Sequence, residues 1–172
     1  MKLSILAVLS SSVLCVTASS FSVPSQDRSQ IERQIRSRAE SFLEALFGMD
    51  AEKLLDHFDR DTKMIINGRT YSTYEVIADH WRDTFSSRWA SASGEWDELE
   101  VKILGPDAAM VHGNFHGVIN RPSGEIDSYP VVPYTILFER RGEQWLVSFI
   151  HESIDPRTVE RQGGSAKDRS AQ

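Results

Sequence analysis

The first third of the chain carries apolar residues at helical spacing. From residue 31 onward they recur every three or four positions, which places one face of an amphipathic helix on Ile31, Ile35, Ala39, Phe42 and Leu46. Gly48 follows this stretch and is expected to end the helix. Asp50 can accept a hydrogen bond from a free backbone N–H, so it predicts a second, short helix that carries Leu54, Leu55 and Phe58.

A strand, a tight turn and a third helix are predicted next. Residues 62–66 are β-branched and apolar, and Asn67-Gly68 is a strong two-residue turn signal before a return strand over residues 69–71. The sequence Ser72-Thr73-Tyr74-Glu75 has the pattern of a capping box, in which Ser72 caps the helix. The third helix then places on one side Tyr74, Ile77, Ala78, Trp81 and Phe85.

The remainder of the domain predicts strands. After a Ser- and Gly-rich bridge at residues 91–94, four long segments are separated by short turn sequences: Glu98–Leu104, Ala108–Asn120, Ser128–Arg140 and Gln144–Ser153. Short connections favour antiparallel neighbours. Because Pro130 and Pro133 cannot donate a ladder hydrogen bond, we expect the third of these strands to begin at a sheet edge or at a bulge.

Helices followed by a run of strands predict an α+β fold. We expect a cone-shaped α+β barrel, in which three N-terminal helices pack on one face of a strongly curved antiparallel sheet and enclose an apolar cavity. The domain spans residues 31–155 in this prediction. A flexible lead-in at residues 19–30 precedes it, and a polar tail at residues 156–172, too polar to build a core, is expected to be disordered.

The composition disfavours one class of function, and the N-terminus predicts the cellular compartment of the protein. The 172 residues carry 19 Lys+Arg and 25 Asp+Glu, a net charge of −6, which disfavours a nucleic-acid binder because such proteins need a basic excess. Residues 1–18 have the features of an export signal: Lys2, an apolar run over residues 3–16, and Val16-Thr17-Ala18 before the cleavage point. The run is shorter than the roughly 20 residues that span a bilayer.

Removal of this signal would also remove Cys15, the one cysteine of the chain. The mature protein would then have neither a thiol nucleophile nor a thiolate metal site. We therefore predict a secreted or periplasmic protein that has no membrane contact once the signal is removed.

The order of the predicted elements resembles a known group of folds. Helix, short helix, hairpin, helix and four-stranded meander is the order of the nuclear transport factor 2-like superfamily, and the chain most resembles its SnoaL-like branch; it is also similar to the association domain of calcium/calmodulin-dependent kinase. The resemblance covers roughly residues 31–155. It rests on Phe42-Leu43-Glu44-Ala45-Leu46 with Gly48-Met49-Asp50-Ala51, on Asp107-Ala108-Ala109-Met110-Val111, on the segment from Tyr134 to Val147 with its basic Gly turn and Trp145, and on His151-Glu152-Ser153.

The resemblance implies a cavity but not one reaction. The superfamily includes isomerases, cyclases, dehydratases, hydrolases and members without catalysis, so the fold does not determine the function. Its ketosteroid isomerase members pair a carboxylate base with a tyrosine, which directs attention to Asp127, Tyr134 and Tyr74. No carboxylate pair of this chain matches that motif, and this counts against a steroid isomerase.

His151 is the first candidate for acid–base chemistry. Alternation along the final strand puts it on one face with Trp145, Val147, Phe149 and Ser153. If that face lines the cavity, the imidazole could move a proton near neutral pH. The alternative is a structural histidine in the core or at a subunit contact.

Five further residues are candidates for ligand contact: Phe42, Tyr74, Trp81, Asn114 and Tyr134. Phe42 and Trp81 are expected on the helical wall of the cavity, where aromatic residues can equally be ordinary core. Asn114 shares a strand face with His112 and His116, and an exposed or dimer-forming outer face is the alternative for all three. Four residues of strand span ~13 Å, too far for both histidines to ligate one zinc ion at about 2 Å. No metal or cofactor is predicted.

Two functional hypotheses follow, from different classes. The first is a secreted protein that binds a small apolar molecule in its cavity without turnover and forms a homodimer through its sheet. The second is an isomerase, cyclase or dehydratase that acts on a carbonyl compound, with His151 as acid/base and Tyr134 or Asn114 polarising the oxygen. A module that only oligomerises is a third possibility.

Overall fold

A computed structural model describes residues 25–163. Its helices are α1 (Ser25–Phe47), α2 (Ala51–Leu55) and α3 (Tyr74–Asp83), and a π-helical turn (Thr84–Arg88) continues α3. Its strands are β1 (Phe58–Ile66), β2 (Arg69–Tyr71), β3 (Ser91–Gly105), β4 (Ala108–Asn120), β5 (Ile126–Arg141), β6 (Gln144–Glu152) and β7 (Glu160–Gln162). None of the helices in this range is long and apolar enough to cross a membrane. The predicted export signal lies outside the described residues.

One mixed sheet forms the centre of the fold. Its strands follow the order β2-β1-β6-β5-β4-β3, with β7 paired to the start of β5. The sheet is open, and the predicted α+β class is confirmed. The expected antiparallel pairing is right for β3 to β6 and wrong for β1, which runs parallel to β6. No hairpin joins β1 to β6, so the turn chemistry that sets the other strand directions does not act on this pair.

The helices cover one face of this sheet. The predicted apolar face of α1 is buried at every position, from Ile31 to Leu46. It packs over a row of fully buried strand residues that includes Val111, Ile136 and Phe138. Burying a side chain of this size contributes roughly 2 kcal/mol each, so the face explains why the helix forms here.

The predicted α2 cap and the predicted two-residue turn are both present, whereas the cap of α3 lies one residue later than predicted. Asp50 accepts a hydrogen bond from the Lys53 amide at 3.1 Å and caps α2 as predicted. Asn67 and Gly68 both have positive φ, as the predicted two-residue turn requires. The N-cap of α3 is Thr73 rather than Ser72, because the Thr73 hydroxyl accepts the bond from the Val76 amide.

Several elements differ from their predicted boundaries, and Phe58, predicted on the second helix, instead begins β1. Helix α1 begins at Ser25, so the described part of the predicted lead-in, residues 25–30, is helical. Residues 91–94 belong to β3 and pair with β4 rather than forming a bridge. Strand β7 pairs with β5, so part of the predicted tail is ordered by a tertiary contact. For β3 and β7, a distant strand supplies hydrogen bonds that local sequence does not reveal.

Two β-bulges change which side chains face inward. In β5 the partners of Phe115 and Gly117 are Val132 and Tyr129, so the strand has its irregularity at Pro130, as the prolines predict. In β6 the partners of Leu137 and Phe138 are Phe149 and Val147, which leaves Ser148 as an extra residue. Because side chains alternate along a strand, the extra residue exchanges the two faces beyond it.

Candidate functional site

A cavity of about 230 Å³ lies between α3 with its π-helical turn and the helix-covered face of the sheet. Exposed residues at one side, Asn67 and Arg88, mark where it reaches the surface. The full lining comprises Leu46, Ile66, Asn67, His80, Trp81, Thr84, Arg88, Trp89, Phe115, Ile119, Arg121, Tyr129, Val132, Glu152 and Ile154.

Aromatic rings form the helical side of the cavity. The Trp81 ring lies 5.5 Å from Phe85 and 6.4 Å from Trp89, measured between centroids. The π-helical turn positions the last of these, since the Trp89 amide donates to the Thr84 carbonyl, five residues earlier. A π-helical turn shifts the register of the side chains that follow it, and such turns are frequent at functional sites.

Glu152 is a buried acid on the sheet side of the cavity. The Ser148 bulge turns it inward, opposite Tyr134 in the β5–β6 ladder. The residue is only 7% exposed, and none of the described residues forms a hydrogen bond with its carboxyl group. Burial raises the pKa of Glu152 to about 7. A group with this pKa can donate or accept a proton near neutral pH.

Other polar atoms around the cavity also have no partner. The indole N–H of Trp81, the Thr84 hydroxyl and the Tyr134 hydroxyl are buried without a hydrogen bond in the described structure. Burial, and secondarily the charge of Glu152, holds the pKa of Tyr134 well above its usual value, so its hydroxyl keeps its proton. Unpartnered buried groups are rare in proteins and are a common feature of binding sites.

The arginines on the cavity wall are paired. Arg121 donates two hydrogen bonds to the buried Asp127 carboxylate, at 2.8 and 2.6 Å. Arg161 of β7 forms a second ion pair with that carboxylate at 3.3 Å. Arg88 is bound to Asp83. The arginines therefore add little free positive charge to the interior.

His80 lines the cavity as a neutral base. Burial, and then the charges of Arg88 and Arg69, lower the pKa of His80 to about 4. Its ring packs against Tyr71 at 4.5 Å and Trp81 at 5.0 Å between centroids. The imidazole is therefore uncharged at neutral pH.

The candidates chosen from the sequence fall in different places. Trp81 lines the cavity, and Tyr134 lies beside it, with its ring 5.5 Å from that of Phe115. Phe42 is fully buried in the core between α1 and the sheet and is not part of the lining. Tyr74 is half-buried on the surface, where the Arg60 guanidinium stacks 4.0 Å from its ring centre.

His151 and Asn114 lie on the opposite face of the sheet from the cavity. The expectation that His151 shares a face with Trp145 and Val147 is wrong, because the Ser148 bulge exchanges the faces. The His151 side chain is exposed, and together with Asn114 and His112 it borders a shallow outer depression. His112 pairs there with Glu100 at 3.2 Å. This placement removes the geometric basis for His151 as a cavity acid/base.

Sequence reasoning missed Glu152, Arg121 and Tyr129. An acid at the end of an otherwise apolar strand was the one available signal for Glu152, but alternation without a bulge assigns it to the outer face. Asp127, which lies one residue before the predicted strand Ser128–Arg140, is only 2% exposed. Across residues 25–163, no group of three or more His, Cys, Asp or Glu is arranged to hold a metal ion.

Comparison with known families agrees with the architecture. A family model described as a SnoaL-like domain matches residues 35–156, which is most of the chain. No curated protein matches this chain.

Solved structures share the fold at low sequence identity. The LinA type 2 hexachlorocyclohexane dehydrochlorinase superposes with a TM-score of 0.71 at 17% identity, covering 83% of this chain and 95% of that one. A protein assigned as a scytalone dehydratase from Novosphingobium aromaticivorans gives 0.71 at 11%, covering 83% and 95%. A nuclear transport factor 2-like protein from Salmonella enterica serovar Typhimurium gives 0.68 at 15%, covering 76% and 95%. At these identities the likeness shows the fold alone.

Proposed function

Because this chain belongs to the SnoaL-like domain family, we propose that it binds a small, mainly apolar molecule in the interior cavity. The observation that carries the proposal is the cavity itself, about 230 Å³ lined by aromatic and aliphatic side chains with a few convergent polar groups. That combination is typical of small-molecule sites.

The volume limits the ligand to a compact compound. An engineered apolar cavity of about 150 Å³ holds benzene, whereas drug-sized ligands occupy roughly 300–1,000 Å³. A cavity of about 230 Å³ lies between these values and fits one substituted ring. One structural neighbour is named for a reaction on hexachlorocyclohexane, a compact ring compound, which is consistent with this size.

Thermal unfolding with a panel of single-ring compounds tests the proposal. A ligand at a hundredfold excess over its Kd should raise stability by about 2.7 kcal/mol. Ile119→Trp fills the cavity and should abolish the increase, whereas Val131→Trp, at a side chain 49% exposed, is the matched control and should retain it. An equal increase in both variants would place the ligand elsewhere and refute the proposal.

A second candidate function is proton-transfer catalysis on a carbonyl compound. Glu152 favours it, because this buried acid reaches the cavity and takes the role that sequence reasoning gave to His151. As a carboxylate it would remove a proton from the carbon beside the carbonyl, leaving the electron pair on the enolate oxygen, and then return the proton. Deuterium uptake from D2O into a cyclic ketone, followed by NMR, measures this. Loss of uptake in Glu152→Gln but not in His151→Gln is expected. The reverse result would make His151 the acid/base of the reaction.

Homodimerisation is proposed through the outer face of the sheet. The helices leave this face uncovered, and Met110, Leu137 and Phe149 form a cross-strand row on it. Each of these side chains is half-buried, so a second copy could bury apolar area there. Light scattering should give a dimer mass, and Leu137→Glu should give a monomer while Val131→Glu does not.

Export is the remaining element of the proposed function. The predicted signal at residues 1–18 implies a secreted or periplasmic protein. N-terminal sequencing of exported material should begin at Ser19, and retention of an uncut chain in the cytoplasm would refute the localisation.

A further inference from the structure

Glu152 and Tyr134 form a pair of inward-facing polar groups beside the cavity. They are direct partners in the β5–β6 ladder, a relation that places Cβ atoms about 5 Å apart. The Tyr134 hydroxyl is buried without a hydrogen-bond partner, and the Glu152 carboxyl, which lines the cavity, forms no hydrogen bond with any residue that the structure describes. A buried polar group without a partner destabilises the fold, and a bound ligand can offset this cost by supplying the partner.

The other ionisable groups around Glu152 do not supply a counter-charge. From α3, His80 is neutral because burial lowers its pKa to about 4. From the π-helical turn, Arg88 is bound to Asp83, and from the β4–β5 connection Arg121 is bound to Asp127. Tyr129 of β5 lies near that Asp127 pair, and the β1 and β4 walls are apolar.

Without a counter-charge, the neutral form of Glu152 is favoured below neutral pH. A protonated carboxyl group donates one hydrogen bond, and the Tyr134 hydroxyl can donate another. The indole N–H of Trp81, which is a donor only, is also unpartnered. Each of these unpartnered groups can donate a hydrogen bond, and the indole N–H can only donate, so an acceptor on the ligand could satisfy any of them.

We propose that neutral Glu152 is the polar anchor of the cavity, and that the ligand is an uncharged single-ring compound with a hydrogen-bond-accepting oxygen such as a carbonyl. The inference rests on the proposed function, because it requires that the cavity bind a small molecule. A carboxylate ligand is disfavoured, since the arginines of the wall are already paired. An ammonium ligand would instead require ionised Glu152.

Three probes of matched size separate these cases: acetophenone, ethylbenzene and 1-phenylethylamine each carry one ring and a two-carbon substituent. Isothermal titration at pH 6 and pH 8.5 measures their affinity for the full chain. Acetophenone should bind about fivefold to tenfold more tightly than ethylbenzene at pH 6, the effect of one net hydrogen bond. Its affinity should fall about fivefold at pH 8.5, to nearly that of ethylbenzene, as the anchor ionises and its hydrogen bond is lost, whereas the affinity for ethylbenzene should not change.

Two variants assign the effect to the anchor. Glu152→Gln retains a donor but does not titrate, so its affinity for acetophenone should be the same at both pH values. Glu143→Gln, in the exposed β5–β6 turn, is the matched control and should keep the fivefold fall. Thermal unfolding of each variant verifies that it is folded.

The outcomes distinguish the inference from the proposed function. If acetophenone and ethylbenzene bind equally at both pH values, the anchor is refuted and the binding function remains. If 1-phenylethylamine binds most tightly, and more so at pH 8.5, Glu152 is a cation site and the inference is overturned. If none of the three binds, the binding of single-ring compounds fails, and the inference fails with it.

Discussion

Glu152 stands directly opposite Tyr134 across the β5–β6 ladder, on the face of the sheet that the helices cover. This relationship depends on the extra residue at Ser148, because without the bulge the acid would point outward and His151 inward. A single inserted residue thus decides which titratable group reaches the cavity.

The first prediction concerns stability against pH. Glu152 has a pKa of about 7 in the folded protein and the ordinary value of 4.5 when unfolded. Between these values the folded state keeps a proton that the unfolded chain releases, so stability falls as pH rises through this window. The loss for this group is about 3 kcal/mol, with no further change well above pH 7.

Glu152→Gln should remove that contribution. Chemical unfolding of both proteins at several pH values gives the difference in unfolding free energy, in which the other titrating groups cancel. The variant should gain about 3 kcal/mol over the parent between pH 4.5 and pH 7.5. A constant difference across this range would show that the carboxyl group is solvated.

The buried His57 and the half-buried His80 should act in the opposite direction. Burial lowers the pKa of His57 and of His80 to about 4. Below pH 6.5 the unfolded chain therefore binds protons that the folded protein does not bind. Stability present above pH 6.5 is therefore lost as pH falls toward 4. NMR titration should show both imidazoles unprotonated at pH 5.5, with the urea-unfolded chain as the control; protonation at that pH in the folded protein would contradict the prediction.

The ion pairs of Asp127 should differ sharply in strength. Asp127 is 2% exposed and is bound by Arg121 at 2.6 Å, so Asp127→Asn should cost about 3 kcal/mol by leaving a buried pair broken. The Arg161 side chain is 66% exposed, and Arg161→Ala should cost less than about 1 kcal/mol. Urea unfolding measures both. Equal losses of unfolding free energy would mean that Arg161 of β7 stabilises this region as strongly as the buried ion pair does.

Gly94 should tolerate no side chain. A Cβ atom there would overlap the Phe47 ring and the backbone carbonyl of His116, and the carbonyl is held in the sheet. Gly94→Ala should therefore cost about 1–3 kcal/mol. Gly105 lies on the same strand with open space around it, so Gly105→Ala should change stability by less than about 0.5 kcal/mol. Similar thermal midpoints for the two variants would contradict the steric explanation.

The elements that depend on local chemistry could be predicted. The α1 face, the Asp50 cap and the Asn67-Gly68 turn each follow from a few neighbouring residues, and each is present. The family was recognisable for the same reason, since its order of elements is a sum of such signals. Where a distant strand sets the outcome, as with β1 beside β6 or β7 beside β5, local sequence was insufficient.

The candidate site shows the same contrast between local and long-range information more strongly. Spacing along α3 placed Trp81 correctly on the cavity, because a helix with one apolar face has few ways to pack. His151 was misplaced, because strand alternation carries no information about an inserted residue upstream. Arg121 and Asp127 come from a turn and from the strand that follows it, and only the folded sheet buries their ion pair.

By itself, the amino-acid order determined the helices, the hairpin, the long strands and the family, since periodicity, caps and turns act over a few residues. The tertiary structure decided the direction of β1, the pairing of β7 and the identity of the acid that faces the cavity. Those features depend on hydrogen bonds between segments far apart in the chain and on a one-residue bulge, and a strand's local pattern records neither.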